Sequence, residues 1–503
     1  MTVVLEQKGS KLVLAGLLLA ILMSAMDNTI VATALGAIVA DLNGADKFVW
    51  VTSAYMVAVM AGMPIFGKLS DMYGRKKFFV FGLFVFLLGS VLCGLSQSIV
   101  QLSIFRAIQG IGGGALMPIA FTIVFDIFPP EARGKMTGLL GAVFGSSSVF
   151  GPLIGAFLTD NFSWHWIFYV NLPIGLLSLI FILGSYKESP ERSDQRIDWG
   201  GAITLVVAVV SLMFGLEFGG KEYAWTSWQI LSLFAGFLIF FIAFLMIERK
   251  AAEPIISFWM FKKPLFASAQ ALAFLYGATF IILTILIPIF VQAVYGGSAT
   301  NAGLVLTPLM LGSVVGSAVA GIAMSKTSYR NIMWISIISF IIGMALLSTV
   351  GPDTSRWFLT IYMVISGFGV GFSFSLLPNA TIHKLEPRYR GSANSTNSFF
   401  RSLGMTIGIT LFGAMQSKFF ASNLEDAFGK SGGMASGDSS SLFSAEMRDK
   451  IPDEVLSKIT QAMSDSITHT FAYALIPLGI AVVFVYLMGK SRLEISKAKP
   501  KKG

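Results

Sequence analysis

The sequence has little with which to do covalent chemistry. One cysteine, Cys93, and three histidines stand among 503 residues. A lone thiol excludes an intrachain disulfide, and so few soft ligands leave no metal cluster to expect. No glycine loop followed by Lys-Ser or Lys-Thr is present to cradle a nucleotide phosphate, which argues against ATP-driven work. Neither a nucleophile–base constellation nor a sizeable soluble segment stands out, so an enzyme or a receptor is not expected. Charge is scarce too: 13% of residues are charged against 55% hydrophobic, and mean hydropathy is +0.75. That is too apolar for a soluble surface. The chain reads as a polytopic, all-α membrane protein.

Long apolar runs are what is there instead. A hydrocarbon core about 30 Å thick needs roughly 20 apolar residues per helical span. Fourteen runs qualify: 12–35, 48–68, 78–97, 100–125, 136–159, 164–185, 199–217, 228–247, 265–293, 301–324, 332–350, 357–381, 392–415 and 467–489. They are continuous and lack period-two alternation, which selects helices over a barrel. The first run follows Lys8 and Lys11 as a signal peptide would, but apolar character resumes past Asp27, so a retained span is expected. Segments on one side of the spans hold 26 of the 36 Lys and Arg residues, and those on the other side hold 8. This asymmetry places both termini in the cytoplasm, with the protein in the cell membrane. The net charge of +9 is therefore topology, and nucleic acid is not an expected partner.

The chain also repeats itself. Gly110, Gly112 and Gly114 of "RAIQGIGGG" recur 257 residues later as Gly367, Gly369 and Gly371. The same offset carries Pro130, Arg133 and Gly134 onto Pro387, Arg390 and Gly391. Duplication pairs spans 1–6 with spans 9–14 and leaves an inserted helix pair between them. The expected division is an N-terminal six-helix bundle (1–185), an inserted segment with cytoplasmic linkers (186–263), a C-terminal six-helix bundle (264–489) and a basic tail (490–503). Residues 416–466 read as a long, outward-facing loop, flexible across "GKSGGMASGDSSS" and amphipathic-helical across "SAEMRDKIPDEVLSKITQAM".

Certain polar residues have no business in lipid unless they are used. Asp27 lies deep in span 1, and Arg106 lies within span 4 with Gln109 three residues on. Asp126, Asp160, Glu217 and Glu248 all fall at predicted span ends. The loop "GKLSDMYGRKK" offers Gly67 for close helix approach, Asp71 where a helix meets the cytoplasm, Gly74 for the turn and Arg75 as a base beside the acid. Its counterpart "GIAMSKTSYR" keeps Gly321 but has Ser325 in place of the acid. In span 5, Gly145, Gly151 and Gly155 make a thin helix and Pro152 a bend.

These motifs, in this order, resemble the signatures of the major facilitator superfamily. The span 5 pattern "GSSSVFGPLIGAF" is similar to the one associated with its antiporters. "MDNTIVATAL" in span 1 and "WHWIFYVNLPIG" in span 6 look like the fourteen-helix drug:proton antiporter branch, which includes quaternary-ammonium and multidrug efflux pumps. Departures are Gly36, Ala156 and His165, where relatives often have proline, glycine and arginine. The resemblance implies the major facilitator fold, two six-helix bundles plus two inserted transmembrane helices, working by alternating access. It also implies proton-coupled export of hydrophobic or cationic drugs, with membrane lipids as surroundings and a monomer as the working unit. A proton-coupled exporter of one endogenous compound, such as a lipid, amino acid or siderophore, would carry the same signatures.

Loss of water disfavours the charged form of a carboxylate, which suits Asp27 to exchange a proton for a cargo. Arg106, with Gln109, would modulate it. Asp71 would meet the positive end of the helix starting near Gly391 and act as a latch, oriented by Arg75. The substrate cavity is expected from Asn28, Tyr55, Met56, Gln292, Asn394, Asn397 and Phe400, a mixture of aromatic, adaptable and hydrogen-bonding surface. No cofactor is expected beyond the proton as coupling ion.

Overall fold

The computed structural model describes residues 9–42, 47–188, 197–220, 222–296, 305–428 and 452–493. Helices follow one another through all of them. The first six are α1 (Ser10–Leu42), α2 (Val49–Tyr73), α3 (Arg75–Gly94), α4 (Ile99–Ile127), α5 (Pro130–Asn161) and α6 (Trp166–Ser185). Then come α7 (Trp199–Phe218) and α8 (Trp228–Glu248). The last six are α9 (Pro264–Ala293), α10 (Thr307–Ala323), α11 (Tyr329–Leu347), α12 (Arg356–Thr381), α13 (Arg390–Phe428) and α14 (Asp453–Leu487). Thirteen are long and apolar enough to cross a membrane, and α10 is a shorter apolar helix. Among the described residues there is no β-strand.

Local chemistry sets the helix starts. Ser98, Asp198, Ser227 and Ser328 each accept a backbone N–H of the first turn of α4, α7, α8 and α11. Proline opens α5 and α9, where no intrahelical donor is needed. Gly74, at φ 110°, makes the one-residue break between α2 and α3 that a side chain would strain.

The two six-helix bundles have separate cores. One joins α1 to α6 around Leu17, Phe79, Phe86 and Phe125; the other joins α9 to α14 around Tyr276, Phe340, Phe372 and Leu478. The repeated glycines do the same work in both. A Cβ at Gly110 would strike Tyr55 of α2 and one at Gly112 would strike Phe86 of α3. In the second bundle a Cβ at Gly367 would strike Leu309 of α10 and one at Gly369 would strike Phe340 of α11. Each stripe lets one central helix lie against two neighbours at backbone distance.

The inserted pair α7–α8 packs against α2 and α13, joined through Val57, Met60, Leu205, Phe244 and Phe399. The first and last described segments reach one face, here the terminal face: Gly9 lies against Ser185, and Arg492 pairs with Ser328.

The stretch read as a fifty-residue loop is corrected in part. α13 continues helical to Phe428 and α14 begins at Asp453, so 416–428 and 453–466 extend the last two spans. Gln416 donates to Ser466 Oγ at 3.1 Å and Asn423 to the Ala462 carbonyl at 3.1 Å, which zips the extensions together. Residues 429–451, including the Gly-Ser-rich stretch and the start of the proposed amphipathic helix, lie outside the described residues.

Candidate functional site: a sealed ion pair and a latched face

Asp27 and Arg106 form a salt bridge with both side chains fully buried. The pair sits inside the first bundle, where α1, α2, α3, α4 and α6 converge. Arg106 Nη1 also donates to Gln109 Oε1 at 2.7 Å, and its Nε donates to the Val51 carbonyl at 3.1 Å. The other carboxylate oxygen, Asp27 Oδ1, accepts from Gln109 Nε2 and Asn171 Nδ2, each at 2.9 Å. Both amides also donate to Ser90 Oγ, at 3.1 and 3.0 Å. Tyr55 covers the guanidinium with its ring centroid 4.1 Å from Cζ. Arg106 Nη2 is buried with no hydrogen-bond partner.

The network engages both carboxylate oxygens of Asp27 and fixes Arg106 in one orientation, since each bond to a charged group outweighs a neutral one. Asn171 and Ser90 had not been singled out from the sequence. Asn171 lies within "WHWIFYVNLPIG", and an asparagine in an otherwise apolar helix was the available signal. Asp27, Arg106, Gln109 and Asn171 have no exposure in this arrangement. Five helices converge on the network, and Tyr55 roofs it.

A second constellation closes the terminal face. Asp71 accepts the backbone N–H of Gly391 at 2.8 Å and of Ser392 at 2.7 Å, both at the start of α13. No residue of α13's own leading segment caps those donors, so an acid from the other bundle does. Arg75 Nη2 donates to Asp71 at 3.0 Å and to the Pro387 carbonyl at 2.6 Å, and its Nη1 pairs with Asp126. Arg390 of the second bundle joins the same Asp126 at 3.1 Å. Gly67 permits the approach, because a Cβ there would strike Ser395 and the Gly391 carbonyl. Gly74 faces the Glu188 carboxylate, which accepts the Lys76 N–H at 2.9 Å at the start of α3. Asp126, read as an acid at a span end, is thus a shared partner of two arginines from different bundles.

The sequence from residue 17 to residue 409 matches the family described as the Major Facilitator Superfamily. The chain belongs to that superfamily. It is 63% identical over 508 residues to "Multidrug resistance protein 3" of Bacillus subtilis (strain 168), covering 100% of this chain and 99% of the relative. It is 35% identical over 522 residues to "Multidrug transporter protein MdtP" of the same organism, covering 98% and 96%. The human organic anion transporter MFSD10 (TETRAN) shares the fold, with a TM-score of 0.63 at 14% identity over 93% of this chain and 99% of that one. So does an inward-facing, occupied bacterial homolog of the human lysosomal transporter Spinster, with a TM-score of 0.55 at 17% identity over 95% and 97%.

Helix α5 of this major facilitator links Asp27's helix to the second bundle. Gly151 and Gly155 let α5 lie on Thr29 and on Ile30 and Thr33 of α1, while Gly145 faces Ser313 of α10. Pro152 lies inside the α1-facing half of α5. Thr29, two residues beyond Asp27, donates to the Ser147 carbonyl at 3.4 Å.

The expected substrate cavity is not assembled among the described residues. Asn28's side chain lies outside them. Tyr55 covers Arg106, and Met56 packs into the first core. Gln292 sits at the far end of α9 from the terminal face. Asn394 donates across the bundles to Thr122 Oγ1 at 3.2 Å, whereas Asn397 bonds within its own bundle to Gln270 Oε1 at 3.2 Å. Phe400 packs with Phe261 and Phe399. Helix α13, which bears three of these residues, packs against α2 and α4 in this arrangement. Deeper in α13, Arg401 is buried and donates to Ser373 Oγ at 3.2 Å and to the Ser373 carbonyl at 3.0 Å.

Proposed function

We propose that this protein exports hydrophobic or cationic small molecules from the cell in exchange for protons, by alternating access of its two bundles. The multidrug relatives support the cargo class, and one observation carries the coupling: a buried carboxylate paired with a buried guanidinium. With the terminal face read as cytoplasmic, the described state is closed to the cytoplasm. Rocking of the bundles that displaces Tyr55 brings water to the pair. A proton then binds Asp27, Arg106 is released from it, and the carboxylate no longer holds a cationic cargo. Loss of that proton on the cytoplasmic side restores the ion for the next cargo.

One proton exchanged for one monovalent cation moves no net charge. Export is then driven by the pH gradient alone, at about 1.4 kcal/mol per unit. The test is efflux of a fluorescent cation from proteoliposomes under an imposed pH gradient, wild type against Asp27→Asn. We expect uphill transport and proton counterflow to vanish together. Because a lone buried Arg106 costs roughly 3–5 kcal/mol, Asp27→Asn with Arg106→Gln serves as the folded, uncoupled control. Proton-coupled pumping by Asp27→Asn would overturn the assignment. A screen of unrelated hydrophobic cations separates a multidrug pump from an exporter of one compound.

A further inference from the structure

The terminal face closes along two seams that the internal repeat relates. In the first, Gly67 of α2 meets Gly391 of α13; in the second, Gly321 of α10 meets Gly134 of α5. Each seam holds a threonine of the first bundle bonded to an asparagine of the second. Asn394 of α13 donates to Thr122 Oγ1 of α4 at 3.2 Å, and Asn379 of α12 donates to Thr137 Oγ1 of α5 at 2.9 Å. The 257-residue offset carries Thr122 onto Asn379 and Thr137 onto Asn394. Each bond is therefore the image of the other, with donor and acceptor exchanged between the bundles.

All four side chains are buried. Thr122 lies four residues inward of Asp126, and Asn394 four residues inward of Arg390, the pair that joins the bundles in the first seam. Four residues of helix rise about 6 Å, so this bond lies a turn deeper than the ion pair. Thr137 stands in the same relation to Arg133, and Asn379 to His383.

Local bonding fixes which partner gives the proton. A hydroxyl has only one. Thr122 donates it to the Pro118 carbonyl of its own helix at 2.9 Å, and Thr137 to the Arg133 carbonyl at 2.9 Å. A lone pair is left to face the other bundle, and an amide N–H is what it accepts. Asn379 also donates to the Ser375 carbonyl at 2.7 Å, and Ser375 is the repeat image of Pro118.

We propose that Thr122–Asn394 and Thr137–Asn379 are matched locks, one in each seam, that hold the terminal face shut and release together. Each bundle is packed about its own core, so both locks join the same two bodies. These are positioning residues, separate from the Asp27 pair and from the Asp71 clasp. The proposal rests on the alternating-access reading for what opening serves. Its test needs neither cargo nor proton, so its failure is told apart from a failure of transport.

The test uses the full chain in nanodiscs with a cysteine placed in one seam at a time. Ser395→Cys lies where Gly67 meets α13, and Ser317→Cys replaces a hydroxyl that donates to the Gly138 carbonyl at 3.1 Å. Both serines are fully buried, so the rate of reaction with a water-soluble maleimide follows the fraction of molecules open. Thr122→Val removes one lock and keeps the side chain's shape. We expect labelling to rise about fivefold in both seams, equally so for Thr137→Val, and roughly 25-fold for the two together. Thr122→Ser and Thr137→Ser keep the hydroxyls and should label at the wild-type rate. Thr122→Asn with Asn394→Thr turns the first lock into a copy of the second and should restore that rate too. A rise confined to the altered seam overturns the proposal, as does a failed exchange. Unchanged labelling beside a lowered Tm would make the bonds a matter of folding alone, and the proposal would fall.

Discussion

The two seams of the terminal face share their backbone and differ in their charge. In the first, Asp71 caps α13 from the other bundle, and Asp126 collects Arg75 and Arg390. In the second, Gly134 and Gly321 approach as closely, yet Ser325 only turns back to the Ile322 carbonyl at 2.8 Å. The helix starts explain part of this. α13 begins at Arg390, leaving the Gly391 and Ser392 N–H groups free for Asp71, whereas α5 begins at Pro130, four residues before its equivalent glycine. An acid at 325 would find those donors already spent in the helix. Close packing is thus what duplication kept, and the electrostatic clasp is what one copy alone retains.

The largest effects should come from what the seams share. Gly67→Ala and Gly134→Ala each drive a methyl group into the facing backbone, and each is expected to cost about 3 kcal/mol of the closed state. The measurement is the labelling rate of a cysteine placed at the terminal face, to which buried Cys93 adds no background. If only one glycine mattered, the seams would not be equivalent in packing. Next comes the clasp itself. Asp71→Asn keeps one acceptor but loses the charge that serves two N–H groups and Arg75, so about 1–2 kcal/mol should shift toward opening. Its effect on transport should exceed that of any single change at 325. The smallest effect is expected from Ser325→Asp, below about 0.5 kcal/mol, because no free helix terminus awaits the new acid. A large stabilisation by that variant would break the comparison.

How much of this was legible beforehand follows from which signals are local. The spans were legible because roughly 20 apolar residues in a row have few other uses. Asp27, Arg106 and Asp71 were legible because charge in such runs is costly and therefore conspicuous. Asn171 and Ser90 were not, since small polar side chains satisfy themselves within helices throughout this chain. Asp126 looked like an ordinary acid at a helix end, and only the fold brings Arg390 to it. What the set from Asn394 to Phe400 meets was not legible for a related reason: periodicity says which residues share a face, and the packing of the other bundle decides what that face meets. The helical extensions at 416–428 and 453–466 were missed because their polarity signals an exit from the membrane, and a helix does not have to end there.

Helix α8 has consequences beyond its contacts. Of its most apolar stretch only 11% of residues are buried, against 83% for α4, which carries Arg106. Trp228 is 74% exposed at one end of α8 and Trp199 64% exposed where α7 begins, so indole rings mark both margins of the inserted pair. A 21-residue helix spans about 31 Å. When lipid chains shorten or lengthen, the inserted pair tilts first and absorbs the mismatch, and the hydrogen bonds around the ion pair keep their geometry.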